Sequence, residues 1–227
     1  MVTPNILYED NHLIIVNKNC GELVQGDKTG DKTLMEDLKE FIKVRDNKPG
    51  NVFLGLTHRL DRPTSGIVVF AKSSKSLSRM NEKFKKREVH KIYWAVTTPL
   101  PDGVETTGTL THYLKKNAKK NLVTVYTQPT ADAKKAILHY NLIKKLDNYW
   151  LFEINLETGR SHQIRTQMAK IGAIIKGDLK YGAKRSNPDG GIHLHARKVI
   201  FEHPTTKEVI EITAPTPKEK IWEACST

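Results

Sequence analysis

Residues 57–73 read Thr-His-Arg-Leu-Asp-Arg-Pro-Thr-Ser-Gly-Ile-Val-Val-Phe-Ala-Lys-Ser. Asp61 stands between Arg59 and Arg62, with His58 close by, just ahead of the apolar run 67–71. A negative charge set between two arginines at the entrance to a buried run admits three readings. It is a structural ion pair, a phosphate-binding loop with one acid left over, or a carboxylate held ready for chemistry.

Outward from this stretch, residues 52–57 read as the strand that enters it and residues 66–72 as the strand that leaves it. From 73 to 87, Leu77, Met80 and Phe84 recur at helical spacing behind a serine pair suited to capping. Residues 89–97 are rich in β-branched and aromatic side chains and read as a strand. Upstream, the apolar runs 6–8 and 13–16 flank a polar turn and predict a hairpin. Residues 19–33, rich in Gly, Asp and Lys, read as loop, and 34–43 place Leu34, Leu38, Phe41 and Ile42 on one helical face. Downstream, 108–113, 122–126 and 150–156 alternate as strands do. The stretch 131–146 is open between helix and strand, with strand favoured over 137–143. A helix is predicted over 160–171, a hairpin over 199–201 and 208–212, and a short helix over 215–225. Hairpins outnumber strand–helix–strand crossovers, which predicts an α+β fold with mostly antiparallel strands.

The chain has 227 residues, enough for a substantial core without covalent staples. Lys and Arg number 37 against 25 Asp and Glu, a net charge of +12, and the isoelectric point is about 9.6. The excess is uneven: residues 75–87 and 115–120 are dense in cations. Such clustering favours a nucleic-acid partner over a merely basic surface, because phosphate neutralisation and counterion release drive that binding. The two cysteines, Cys20 and Cys225, lie at opposite ends and form no C-x-x-C pair, against a disulfide framework or a cysteine-built zinc site. Residues 1–18 lack the basic and long apolar regions of a signal peptide, and no apolar run approaches the ~20 residues of a membrane span. The simplest expectation is a soluble, cytoplasmic protein.

His58, His162, His193 and His195 are the candidate metal ligands. No H-E-x-x-H and no accompanying acidic cluster is present, so structural histidines are the better reading and no metal is expected. There is no G-x-S-x-G, and no P-loop or dinucleotide-binding glycine pattern. One further segment carries chemistry: Leu156-Glu-Thr-Gly-Arg-Ser-His-Gln-Ile-Arg-Thr-Gln167, a strand ending in a glycine turn that opens a helix. Free N–H groups and a positive dipole end, joined by Arg160 and Arg165, suit an anion. That anion is a phosphate or a carboxylate from elsewhere in the chain; a capped, basic surface helix is the plainer alternative.

Taken together, His58-Arg-Leu-Asp-Arg-Pro-Thr-Ser-Gly66, Lys91-Ile-Tyr93, Glu157-Thr-Gly-Arg-Ser-His-Gln-Ile-Arg165, Lys176-Gly-Asp178, Tyr181-Gly182 and His193-Leu-His-Ala196 resemble the RluA family of RNA pseudouridine synthases. The resemblance extends from about residue 6 to 217 and includes Leu7-Tyr-Glu-Asp10 and Val16-Asn-Lys18. It implies a pseudouridine synthase-like bent, mixed, mainly antiparallel sheet with flanking helices and a central catalytic cleft. It implies a catalytic domain acting on ribosomal or transfer RNA without a cofactor. Because the landmarks begin almost at residue 6, the expectation is a single catalytic domain over residues 1–227 with no N-terminal S4-like domain, working as a monomer. On matching positions, Asp61 is the catalytic aspartate, Tyr93 the tyrosine that stacks on the target base, and Arg165 the basic residue that pairs with the aspartate. Arg59 is the arginine that enters the RNA stack, and Leu194 helps wall the pocket. His58, Arg62, Lys83, Lys85, Lys86, Arg87, Arg160 and His162 complete the expected RNA-contacting set.

The residue types suit the reaction. Turning uridine into its C5-glycoside breaks N1–C1′, rotates the uracil and rejoins it through C5. A carboxylate can add to the base, attack C1′, or promote a glycal by proton loss. A guanidinium would keep that carboxylate ionised against desolvation, and a flat aromatic would hold the loose base. Two departures from the family pattern stand out: Asn17-Lys-Asn-Cys-Gly21 lacks a proline, and Arg165-Thr-Gln167 replaces R-x-H. Two other functions share some of these features: an RNA-binding or ribosome assembly factor that keeps the fold without the activity, and a nucleoside glycosidase, which usually needs two working carboxylates.

Overall fold

The computed structural model describes residues 4–26 and 30–226. In chain order they form β1 (Ile6–Glu9), β2 (Leu13–Lys18), α1 (Leu34–Arg45), β3 (Gly55–Leu56), β4 (Ser65–Ala71), α2 (Ser74–Lys86) and β5 (His90–Thr97). There follow β6 (Thr107–Asn117), β7 (Leu122–Tyr126), β8 (Lys134–Lys145), β9 (Trp150–Leu156) and α3 (Gln163–Lys170). A 3-10 turn (Leu179–Tyr181), β10 (Leu194–Glu202), β11 (Val209–Thr213) and α4 (Lys220–Ser226) complete the described chain. It gathers into two compact units, one of residues up to Val89 with Ala196–Pro215, the other of His90–His195 with the segment from Thr216 onward. The class is α+β.

In the first unit the strand order is β1-β2-β4-β10, with β3 on β4 and β11 on β10. Asp10 closes the β1–β2 turn, its Oδ1 accepting from the amides of His12 and Leu13 at 2.7 and 2.6 Å. All seven residues of β4 are buried, which explains why residues 67–71 form an unbroken apolar run and not an alternating one. Gly66 has φ 110°, and a Cβ there would lie 2.4 Å from the Ala196 carbonyl oxygen. Only glycine lets the backbone of β10 approach that closely. Helix α1 starts with a reciprocal capping box between Thr33 and Glu36 and buries Leu34, Leu38 and Ile42. Helix α2 is capped by Ser73 and ends at Arg87 in the left-handed region.

Glu9 ties three elements of this unit together. Its carboxylate accepts from Arg45 Nη1 and Nη2 at 2.6 and 2.8 Å and from Lys72 Nζ at 2.7 Å. The Arg45 hydrogen bonds, assisted by Lys72, hold its pKa down to about 2. A depressed carboxylate pKa contributes stability that is complete above the unfolded value and is lost as pH falls through the folded one. Glu9→Gln is therefore expected to cost ~1–2 kcal/mol at pH 7. Urea titrations should show the gap between wild type and variant closing as pH falls from about 4.5 toward 2.

In the second unit the order is β5-β9-β8-β6-β7, every pairing antiparallel. The ambiguous stretch 131–146 is strand, β8, longer than the 137–143 expected. The remaining differences from expectation have local causes. Residues 52–54 lie outside the strand, and only Gly55 and Leu56 meet β4. The strand ends there because Thr57 and His58 turn their side chains onto the Val69 backbone. Helix α3 begins at Gln163, not 160. The Gln163 side-chain oxygen accepts from the Arg160 amide, and His162 has φ 51°, so 160–162 form a turn. Helix α4 begins at Lys220, not 215, since Pro215 and Pro217 push the residues before them toward extended backbone. Of the expected 19–33 loop, residues 27–29 lie outside the described residues; Leu23 and Thr33 form an isolated bridge within the rest.

Candidate active site

In the first unit the Asp61 loop runs from β3 to β4 and is held from beneath. Lys18, 1% exposed at the end of β2, points its ammonium into the loop. It donates to the carbonyls of Asn19, Arg62 and Thr64 at 2.8, 3.1 and 2.7 Å. All three N–H donors are thus placed, two of them on carbonyls flanking Asp61. Burial lowers the Lys18 pKa to about 8, with Glu22, Cys20 and Asp61 opposing. The Asp61 carbonyl accepts from the Thr64 amide at 3.0 Å, and the Gly21 amide donates to the Arg62 carbonyl at 2.9 Å. Asp61 itself is half-buried while its neighbour Leu60 is buried.

The residues beside Asp61 divide. Arg59 is exposed. Arg62 folds back, with Nη1 2.9 Å from Asp31 and Nε donating to the Gly21 carbonyl at 3.0 Å. His58 accepts from the Val69 amide through Nε2 at 3.1 Å, and its ring leans on Phe84 at 5.1 Å. On α2, Lys83 is only 12% exposed and is paired with Glu202 at 3.0 Å and Glu88 at 3.5 Å. Lys86 pairs with Glu82 at 2.8 Å across one helical turn, and Lys85 and Arg87 are exposed.

In the second unit Tyr93 is buried at 7% in β5, paired opposite Ile154 of β9. Lys91, two residues earlier on the same face, is desolvated enough to lower its pKa. Helix α3 buries six consecutive residues, Gln163 to Met168, so its polar side chains require internal partners. Gln163 accepts from Thr158 and donates to the Ile137 carbonyl at 2.8 and 3.0 Å.

Arg165 is met by a residue to which the sequence assigned no role. Asp178, 1% exposed, takes Nε at 2.6 Å and Nη2 at 2.8 Å, while the guanidinium lies 5.1 Å above the Tyr181 ring. A planar fork met by a carboxylate on one edge and a ring on one face has a fixed orientation. Tyr181 is held in turn, its hydroxyl 2.5 Å from His162 Nδ1 and accepting from the Val123 amide at 3.0 Å. The available signal was the landmark Lys176-Gly-Asp178: an acid beside a positive-φ glycine, followed closely by Tyr181-Gly182.

Arg160 is exposed and donates from Nε to the Lys135 carbonyl, whereas His162 and Leu194 are buried. His193 is buried against Trp222, ring centroids 5.3 Å apart, with its pKa pushed down to about 4 by burial. Asn187 donates from Nδ2 to His193 Nδ1 because its Oδ1 is taken by Lys176. The proton of the neutral ring therefore sits on Nε2, 3.0 Å from a Glu219 oxygen. Among the described residues no group of three or more His, Cys, Asp or Glu is arranged to hold a metal ion. No helix among them is long and apolar enough to cross a membrane.

Residues 12–170 match the family model described as RNA pseudouridylate synthase. The chain belongs to the RNA pseudouridine synthase family. It is 33% identical over 219 residues to an uncharacterized RNA pseudouridine synthase of Bacillus subtilis, YlyB, covering 95% of this chain and 70% of that one. It is 34% identical over 218 residues to ribosomal large subunit pseudouridine synthase C of Buchnera aphidicola, covering 92% and 66%. The chain thus spans about two thirds of the length of these relatives. The fold is shared with human RNA Pseudouridylate Synthase Domain Containing 4, at a TM-score of 0.79 and 23% identity, over 97% of this chain and 92% of that one.

Proposed function

We propose that this protein isomerises uridine to pseudouridine in structured RNA, with Asp61 as the reacting carboxylate, and that both units of the chain work as one catalytic domain. The observation that carries the reading is the His58–Gly66 motif, on a loop braced by Lys18, in a chain whose family match crosses both units. Asp61 would act on the sugar or the base, Tyr93 would stack on the uracil while it turns, and Arg165 would serve as the basic partner that favours the charged acid. The names of several relatives favour ribosomal over transfer RNA as substrate. A soluble, cytoplasmic monomer is the simplest setting. Pseudouridine mapping of total RNA from cells with and without the gene tests the proposal. Loss of one ribosomal site is expected; an unchanged map would overturn it.

The RNA grip is narrower than the run of cations implies. Lys83 is committed to Glu202, so Lys85 and Lys86 are the cations of α2 expected to meet phosphate, Lys86 by exchanging its exposed partner Glu82. Charge reversal at both should weaken RNA binding and lower the salt slope by about one to two, with the melting temperature kept. An unchanged slope would remove α2 from the interface.

A further inference from the structure

Three surface cavities, each lined within a single unit, differ in charge. The cavity beside α2, about 410 Å³, sets Arg79, Lys83, Lys86 and Lys207 against Glu82, Glu88 and Glu202, and ion pairs consume its lysines. A second, about 400 Å³, joins Lys116, Lys134 and Arg160 to Asp132. The third is the largest at about 580 Å³ and no carboxylate lines it. Its wall carries Lys176, Lys184 and Arg185 together with Tyr149, Ser186 and Asn187.

We propose that this third cavity binds a nucleotide of the RNA strand flanking the reacting uridine, its phosphate on Lys184 and Arg185 and its base against Tyr149. The inference rests on the RNA reading above and extends it to a site outside the reacting residues. Lys184, Arg185 and Ser186 are exposed on the segment that follows Gly182. A wall with exposed Lys184 and Arg185 and no carboxylate among its lining residues attracts a polyanion, and its aromatic face adds a surface on which any base can stack. The back wall is rigid. Lys176 donates to Asn187 Oδ1 at 2.6 Å, and Asn187 donates to the Gly191 carbonyl at 2.9 Å. A Cβ on Gly177 would lie 2.6 Å from Asn187 Nδ2, so the wall closes only around glycine.

The placement along the chain is equally specific. Lys176 lines the cavity, and Asp178, two residues on and within ~7 Å along the backbone, anchors Arg165. Strand contacts made here would therefore lie within a nucleotide or two of the base handled at Arg165. Tyr149 sits at the β8–β9 turn and packs beside the buried cluster of Val96, Leu151, Trp222 and Cys225. Its ring is thus supported on one side, with Lys176 Nζ 6.0 Å from its centroid.

The test uses the full chain and an unmodified in vitro transcript of large-subunit ribosomal RNA, with filter binding across ~50–200 mM salt. The Lys184→Ala/Arg185→Ala double variant should weaken Kd roughly ten-fold and reduce the salt slope by about one to two. Tyr149→Leu should weaken Kd by about five-fold or more without changing the slope, because stacking releases no counterion. Lys207→Ala, in the charge-compensated cavity, should leave both unchanged. An unchanged slope in the double variant, or an equal loss with Lys207→Ala, overturns the proposal, and the double variant decides the matter should Tyr149→Leu melt early. Pseudouridine formed by the wild-type chain is read in parallel. Conversion with unaffected variants sinks the cavity alone, whereas absence of conversion sinks the functional reading on which it rests.

Discussion

Asp61→Asn is expected to abolish pseudouridine formation while the protein stays folded and still binds RNA. The substitution keeps size and shape, and the turn at this position is a backbone bond from the Thr64 amide to the Asp61 carbonyl, which asparagine also makes. The Lys18 clamp acts on the carbonyls of Asn19, Arg62 and Thr64, so it too survives. What disappears is the charge. A neutral amide neither attacks carbon nor takes a proton at neutral pH, so turnover should fall at least ~10³-fold, equivalent to ~4 kcal/mol of barrier. Isomerisation replaces the C5–H bond of uracil by C5–C1′, so tritium placed at C5 is released to water and reports the reaction directly. Retention of wild-type release rates in Asp61→Asn would remove the residue from the mechanism.

The second large effect is expected at Asp178. Asp178→Asn deletes the negative charge held against a guanidinium that is itself 5% exposed. Breaking one half of a buried pair typically costs ~3–5 kcal/mol, because the remaining charge stays desolvated. The melting temperature should drop markedly and turnover with it. The double replacement Arg165→Met/Asp178→Leu should recover most of the stability, since a volume-matched apolar pair removes both desolvation penalties. It should not recover isomerisation. That split separates a scaffold role from a role in chemistry: a double variant that is stable and active would make the pair purely structural. A loss below ~1 kcal/mol in Asp178→Asn would show that Asp178 is not the anchor of Arg165.

Much of the architecture was legible because local patterns agreed with the final packing. Leu34, Leu38 and Ile42 recur at helical spacing and are the buried face of α1. The unbroken apolar run after the Asp61 loop became β4, buried throughout. Errors collected where a side chain captures nearby backbone. Gln163 took the Arg160 amide and shortened α3, and His58 took the Val69 amide and shortened the strand before the loop. Periodicity carries no trace of such captures, because they depend on side-chain hydrogen bonding and not on the spacing of apolar residues.

The sequence by itself determined the family, the motif that holds Asp61 and the excess of cations, since these are carried by residue types in a given order. Tertiary structure decided what each charge is for. Arg62 turned back onto Asp31 and the Gly21 carbonyl, Lys83 went to Glu202, and Arg165 was oriented by Asp178. Lys18, a landmark of the resemblance to which the sequence attached no role, became the buried clamp on the carbonyls around Asp61. The physical reason is that a charge has no fixed function along the chain: its partner is set by which groups share its desolvated surroundings, and only folding brings those groups together.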